Sequence, residues 1–404
     1  MTDDPARTLS GDERRAAAEA GVAVFAGRLI LDAQPPVTDA VLAAVAEHCA
    51  GPLPPPLIDL WRTSFGGSLH YDLRAGIGGN EVAVSLRELF HPDSDGYQDL
   101  WGWIEHEREL IDGARLSHLP IGGFEYLDRV YVGTADGPGY GLVACWQQGL
   151  PTGWELSEGD RAAPIAADLY ALFAQLVLED DPWETDKAGT ELREAVEGLS
   201  RISDPRARTA ADKLRRLVRE AVLDWRGALR AGTIAGQRRL RRLALERAAA
   251  GDDLALVQEL VAHGCDPAES VRGGLTPIDI ALGRRGFTVA AWLLERQVPV
   301  GNTLRVGAHA VDLGLAEELL RRGASVDASA VAAAMSNQDV AVVDLLARAL
   351  PPGSDRPQWL IRRLRQRAAQ AAPAGERPGD DAEPERHRSA VLNRLAEALT
   401  SRLE

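Results

Sequence analysis

At 404 residues and 45% hydrophobic content, the chain is long enough for two or more domains and apolar enough to give each a core. A net charge of −15 argues against a nucleic-acid partner, and no run of eighteen apolar residues offers a membrane span. The first twenty residues carry Asp3, Asp4, Asp12, Glu13 and Glu19 in place of a basic, apolar leader, so a cytoplasmic location is expected.

The charge is divided unevenly. Residues 1–186 hold 31 acids and 11 arginines, a net of −20, whereas residues 187–404 hold 29 acids and 34 bases, a net of +5. Such an acidic half repels nucleic acid and steers cationic partners toward itself. Cys49, Cys145 and Cys265 are single and far apart, which suits core residues better than a disulfide framework or a metal knuckle. Only Lys187 and Lys213 are lysines among 45 basic residues, and this bias, with abundant Ala and Gly, points to a GC-rich bacterial genome.

In chain order, residues 10–30 and 38–50 read as short Ala-rich helices, the second starting at a cap-like Thr38 and ending before Gly51-Pro52. From Leu53-Pro54 onward, Leu57, Leu60, Trp61 and Ser64 recur at helical spacing and stop at Gly66-Gly67. Ser68 to Leu73 reads as a strand. Gly76-Ile77-Gly78-Gly79-Asn80 lacks the Lys-Ser/Thr of a phosphate loop and reads as a turn, and Asp93-Ser94-Asp95-Gly96 lacks the closing glutamate of a calcium loop. Residues 86–115 show no pattern that assigns them.

Between Leu119 and Trp146 the alternation turns β: Pro120 to Leu127, Arg129 to Val132, a turn at Asp136-Gly137-Pro138-Gly139, then Tyr140 to Trp146. Ala162 to Leu178 reads as an amphipathic helix with Ile165, Leu169, Leu172, Phe173 and Leu176 on one face. Six of the nine tryptophans lie between Trp61 and Trp183, as expected of a unit with its own aromatic core.

Leu53, Pro54, Gly66 and Gly67, the Gly-interrupted meander ending at Trp146 and the helix from Ile165 to Leu176 resemble the motifs of the SUKH superfamily. The resemblance covers about residues 51–180. Phe65 stands where that family often has a polar residue. It implies an α+β domain, an antiparallel sheet with helices, that binds other proteins.

Residues 184–238 read as helical linker, with Leu214, Leu217, Val218, Ala221, Val222 and Trp225 as an apolar stripe. One phrase then recurs four times, from Glu259-Leu260-Val261, Trp292-Leu293-Leu294, Glu318-Leu319-Leu320 and Asp344-Leu345-Leu346. The starts lie 33, 26 and 26 residues apart, the signature of stacked helical hairpins. Thr276-Pro277-Ile278-Asp279-Ile280-Ala281 resembles the Thr-Pro-Leu-His-x-Ala opening of ankyrin repeats, with Thr276 as cap and Pro277 in the first turn. The shorter periods leave no room for a β-turn finger in the later units. Pro357 to Ala371 and His387 to Leu403 read as two capping helices around a 373–381 loop.

The expected fold class is therefore an α+β N-terminal domain followed by an all-α ankyrin-like helical-hairpin solenoid. The expected division is 1–50 as a helical extension, 51–183 as the SUKH-like domain, 184–238 as linker, 239–352 as ankyrin-like repeats and 353–404 as a helical cap.

No constellation compels an enzymatic reading, and no catalytic, cofactor-binding or metal residue is expected. The eight histidines make no paired-ligand spacing, and Ser64 and Ser68 flank glycines without a nucleophile-elbow frame. Arg362-Arg363-Leu364-Arg365-Gln366-Arg367 reads as a charged helix face rather than a nucleic-acid patch. Both resemblances imply a bacterial immunity protein that neutralises a toxin, such as a nuclease, by occlusion; the alternative is an intracellular scaffold or adaptor. The residues expected to meet a basic protein partner are Glu105, Glu107, Glu109 and Asp112, with Trp101 and Trp103 as aromatic anchors. A hydrolase using carboxylates of the 93–112 region is the third reading. Oligomeric state is not legible.

Overall fold

A computed structural model describes residues 9–94, 96–125, 127–148, 160–185, 189–337, 339–351, 357–371 and 383–401. Asp95, Tyr126 and the 373–381 loop lie outside them. The chain divides into two compact units, with the boundary between Leu223 and Asp224.

In the first unit, α1 (Gly11–Glu19) is followed by a hairpin of β1 (Ala23–Phe25) and β2 (Arg28–Ile30), then α2 (Asp39–Glu47) and α3 (Pro55–Thr63). The expectation of a helix over 10–30 is corrected here. The alternation Val22, Ala23, Val24, Phe25 favours a strand, and Ala26 and Gly27, at φ 48° and 76°, turn the chain back. Thr38 caps α2 as expected, its Oγ1 accepting from Val41 N at 3.3 Å. After α3 come β3 (Gly67–Ser68), the hairpin of β4 (Leu73–Ile77) and β5 (Asn80–Val84), and β6 (Glu88–Leu89). The β4–β5 turn at Gly78 and Gly79 is the one read from the sequence. Then follow α4 (Leu100–Glu109), β7 (His118–Phe124), β8 (Asp128–Gly133), β9 (Val143–Gln147), β10 (Arg161–Ala166) and α5 (Leu169–Gln175).

Six strands form one antiparallel sheet in the order β10-β9-β8-β7-β6-β3. The Gly66-Gly67 pair lies beyond the end of α3, which stops at Thr63 with Ser64 already extended. Both residues have φ near +125°, and a Cβ on Gly67 would fall 2.6 Å from Leu31 O, so only glycine lets β3 enter beside Leu31. The helix expected over 162–178 is half strand. Pro164 sits in the edge strand β10, where a missing N–H breaks no inner ladder, and α5 begins only at Asp168, whose side chain caps Ala171 N at 2.7 Å.

The stretch read as linker is shared between the units. α6 (Thr190–Arg201) and α7 (Pro205–Glu220) bury Leu192, Val196, Leu199, Leu214, Leu217 and Val218 in the first unit's core. An apolar stripe this long needs a partner surface. Lys213 pairs with Glu13 at 2.7 Å, tying α7 to α1.

The second unit is all helical among its described residues: α8 (Trp225–Arg230), α9 (Arg238–Ala250), α10 (Leu254–Ala262), α11 (Pro277–Gly283), α12 (Phe287–Glu295), α13 (Thr303–Gly307), α14 (Leu313–Arg321), α15 (Ala328–Ala334), α16 (Val340–Ala349), α17 (Pro357–Ala371) and α18 (Glu383–Ser401). α9, α11, α13, α15 and α17 pack in succession; α10 packs on α12, α14 on α16 and α16 on α18. The four repeated phrases fall in α10, α12, α14 and α16, where Leu260, Leu293, Leu319 and Leu346 are buried.

Neighbouring hairpins are also tied by polar groups. Asp279 accepts from Thr276 N and Oγ1 at 2.9 Å each, and its other oxygen accepts from Thr303 Oγ1 at 2.9 Å. Asp279 thus holds its own helix start and the next hairpin. Asp252 accepts from Val289 N at 2.7 Å, and Asn337 donates to Ala308 O and Val311 O at 2.8 and 2.7 Å. Gly307 brings α13 so close to α11 that a Cβ there would lie 2.9 Å from Leu282 Cβ.

Candidate functional site

α4 starts at Asp99, whose carboxylate accepts from Trp101 N at 3.0 Å. Leu100, Trp103 and Ile104 are buried, so the inner stripe runs through 100, 103, 104 and 107. This geometry separates the six residues expected to meet a partner into two sets.

Trp103 and Glu107 belong to the interior set. Trp103 stacks on Phe90, with ring centroids 5.7 Å apart, and its Nε1 donates to Tyr97 O at 2.8 Å. The Arg129 guanidinium lies 4.3 Å from the Trp103 ring and 4.5 Å from the Trp146 ring, a cation held between two indoles. Arg129 Nη1 donates to Glu107 Oε1 at 2.6 Å, and Tyr131 OH donates to the same oxygen at 2.9 Å. Burial, with Glu107 beside it, pushes the Tyr131 hydroxyl well above its usual range, against the lowering effect of Arg129. Asp128, also buried, accepts from Ser85 N at 2.5 Å and Gln147 Nε2 at 3.0 Å. The cluster holds α4 to the sheet.

Trp101, Glu105 and Glu109 form the outer set, spaced i, i+4 and i+8 along one flank of α4, with Asp112 in the turn that follows it. Glu105, Glu109 and Asp112 are exposed, and Trp101 is half-buried with its edge toward His48, centroids 5.9 Å apart. The helix C-terminus adds its own negative partial charge to this flank. Sequence reasoning passed over the two residues between Glu109 and Asp112: Leu110 is 68% exposed and Ile111 42%. They form an apolar tip collared by Glu109 and Asp112. Two adjacent apolar residues breaking the helical stripe, just before Asp112-Gly113, were the available signal. The tip is held by a turn in which Asp112 and Gly113 have φ of 55° and 77°. Gly113 N donates to Arg108 O at 2.8 Å, and Arg108 donates to Gly113 O at 2.9 Å and to His48 Nδ1 at 3.1 Å.

A second polar cluster, absent from the sequence reading, lines a cleft of about 340 Å³ in the first unit. His70 Nε2 lies 3.3 Å from Ser68 Oγ, and His70 Nδ1 lies 3.5 Å from Glu191 Oε2. The Ser68 hydroxyl donates a hydrogen bond to Asp32 Oδ2 at 2.7 Å. With that proton engaged, the cluster latches the turn after β2, β3 and α6 together rather than priming a nucleophile. Burial holds the His70 imidazole below its usual pKa, with Arg87 acting the same way and Glu191 and Asp32 opposing. Ser68 and His70 lie in the stretch read as one strand, of which the structure keeps only Ser68 in β3 and Leu73 in β4, and nothing in the sequence points from them to Glu191.

All three cysteines are buried and free. Burial pushes the thiols up, Cys49 to about 11 and Cys145 to about 12, which makes them poor nucleophiles. Among the described residues no group of three or more His, Cys, Asp or Glu could hold a metal ion, and no helix is long and apolar enough to cross a membrane.

No protein-family model matches the chain, and no curated protein matches it.

Proposed function

We propose that the chain is a non-enzymatic protein-binding protein of the bacterial immunity type. In this reading a SUKH-like first unit and an ankyrin-like solenoid in the second act in the cytoplasm to neutralise a basic toxin domain, such as a nuclease, by occlusion. The observation that carries the reading is the outer flank of α4. Exposed Glu105 and Glu109 on α4 and exposed Asp112 in the turn after it accompany the exposed apolar pair Leu110 and Ile111, on a unit whose net charge is strongly negative. An acidic collar steers a cationic surface, and the apolar centre supplies the desolvated contact that holds it. Trp103 and Glu107 act behind this surface, as the support that fixes α4.

The test is copurification of the tagged chain with one basic protein from its own cells, followed by titration of the purified pair. Glu105→Lys with Glu109→Lys should weaken the pair about tenfold or more and flatten its salt dependence. Leu110→Ser with Ile111→Ser should speed dissociation while leaving stability within about 0.5 kcal/mol. Unchanged affinity in both double variants would remove α4 from the interface.

The scaffold reading is favoured by one feature. The second unit has its own core and polar ties between hairpins, and so offers a binding surface independent of α4. Several endogenous partners captured through Asp224 to Glu404, with none on α4, would support it.

A further inference from the structure

We infer that His48 is a pH-sensitive catch on the α4 tip: its neutral ring holds Arg108 in place, and protonation of the ring releases Arg108 and loosens the turn that presents Leu110 and Ile111. The geometry fixes the direction of the bond between them. Arg108 Nη1 lies 3.1 Å from His48 Nδ1. A guanidinium only donates, so Nδ1 carries the lone pair and the proton of the neutral ring sits on Nε2. A proton added at Nδ1 removes the acceptor and sets two cations face to face.

Arg108 has little else to hold it. Its Nη2 donates to Gly113 O at 2.9 Å, its Nε is buried without a hydrogen-bond partner, and among the described residues no carboxylate pairs with it. The guanidinium is a rigid planar fork, so it cannot swing away from the ring and keep the Gly113 bond in line. His48 is the fixed side of the contact. It closes α2, its main chain bonds Val45 O at 3.0 Å and Leu116 N at 2.8 Å, and Trp101 packs against the ring with centroids 5.9 Å apart. Arg108 is therefore the partner that yields, and the turn loses its side-chain clasp.

The other charges on the elements around the ring are Glu47 on α2, Asp99, Glu105 and Glu109 on α4, Asp112 in the turn and Arg115 ahead of β7, with Glu107 turned inward to Arg129. Carboxylates and guanidinium groups as classes keep their charge from about pH 8 to about pH 5, the interval in which histidine changes its own. The Cys49 thiol, pushed up to about 11 by burial, stays neutral there. Two further histidines sit on these elements. His106 lies against Trp103 with centroids 5.7 Å apart, and His118 Nδ1 lies 3.0 Å from Ser117 Oγ; neither bonds Arg108. The inference rests on the α4 reading above only for its consequence, a complex that weakens as pH falls. The release itself needs no partner and is tested without one, so either idea can fail alone.

The experiment is hydrogen exchange of the full chain, read as protection factors for the amides of Asp112, Gly113 and Ala114, which bond Glu109 O, Arg108 O and Ile111 O. Between about pH 7.5 and about pH 5.5 their protection should fall about tenfold while the amides of β7 and β8 hold. His48→Asn keeps an oxygen acceptor that does not titrate in this interval, and should stay protected at both ends. Arg108→Gln should be about tenfold less protected at both ends and show no further fall. His106→Gln should respond as the native chain does. Three results would overturn the proposal: constant protection in the native chain, a fall in His48→Asn or Arg108→Gln as large as the native one, or a loss shared equally by β7 and β8.

Discussion

In the first unit polar side chains reach across long stretches of sequence: Lys213 meets Glu13 and Glu179 meets Arg74. In the second, the ties join positions about one hairpin apart, as Asp252 does with Val289, Asp279 with Thr303 and Asn337 with Val311. The contrast has a folding consequence. A network closed by residue 213 cannot exist until nearly the whole unit is in place, so the first unit should open as one body. Ties between neighbours add along the array, and the second unit should open hairpin by hairpin.

The sharpest way to break this comparison is Glu107→Ala. It leaves Arg129 between Trp103 and Trp146 without its carboxylate, and should cost about 3 kcal/mol in denaturant unfolding. Hydrogen-exchange protection should fall together across the sheet and α4; a loss confined to α4 would show that the first unit also yields piecewise. Asp279→Ala should cost about 2 kcal/mol, because the cap of α11 and the acceptor of Thr303 go together. Here protection should fall in α11 and α13 and hold in α16 to α18. Gly307→Ala should cost about 1 kcal/mol or more, since Leu282 must move to admit the methyl group. A neutral result would mean that the two helices can slide apart freely.

The smallest effect concerns the His70 latch. Its imidazole is held below its usual pKa in the folded chain, so as pH falls the unfolded chain takes up the proton first. Stability from this group is therefore full above the ordinary histidine pKa, about 6.5, and is lost as pH drops through that value toward the folded one. Glu191, Asp32 and Arg87 face the ring, and Asp72 and Glu88 line the same cleft. Thermal midpoints between pH 7.5 and 5.5 should fall further in the native chain than in His70→Gln. Parallel slopes would take the latch out of the pH response.

Local rules carried the reading furthest where contacts are local. The Thr276-Pro277 helix start, the repeated Leu pairs, the Gly78-Gly79 turn and the β7 to β9 meander were all visible, because a cap, a period or a turn residue announces each one. The hairpin at 23–30 was hidden by alanines, which accept either conformation, and β10 by an apolar spacing that continues into α5. At the candidate site the acids were legible as acids, but their separation into an outer flank and an inner ligand of Arg129 was not. That separation depends on which face of α4 meets the sheet, and Arg129 and Trp146 come from β8 and β9. The exposure of Leu110 and Ile111 is likewise set by where the helix ends against its neighbours.

That ending has one more consequence. Arg108 clasps Gly113 from both its main chain and its guanidinium, and two successive left-handed residues, Asp112 and Gly113, leave the turn little conformational choice. Leu110 and Ile111 are thus presented on a backbone that has already lost most of its freedom. A partner that covers them has little ordering entropy to overcome, so modest apolar area there converts into affinity more efficiently than the same area on a loose loop would.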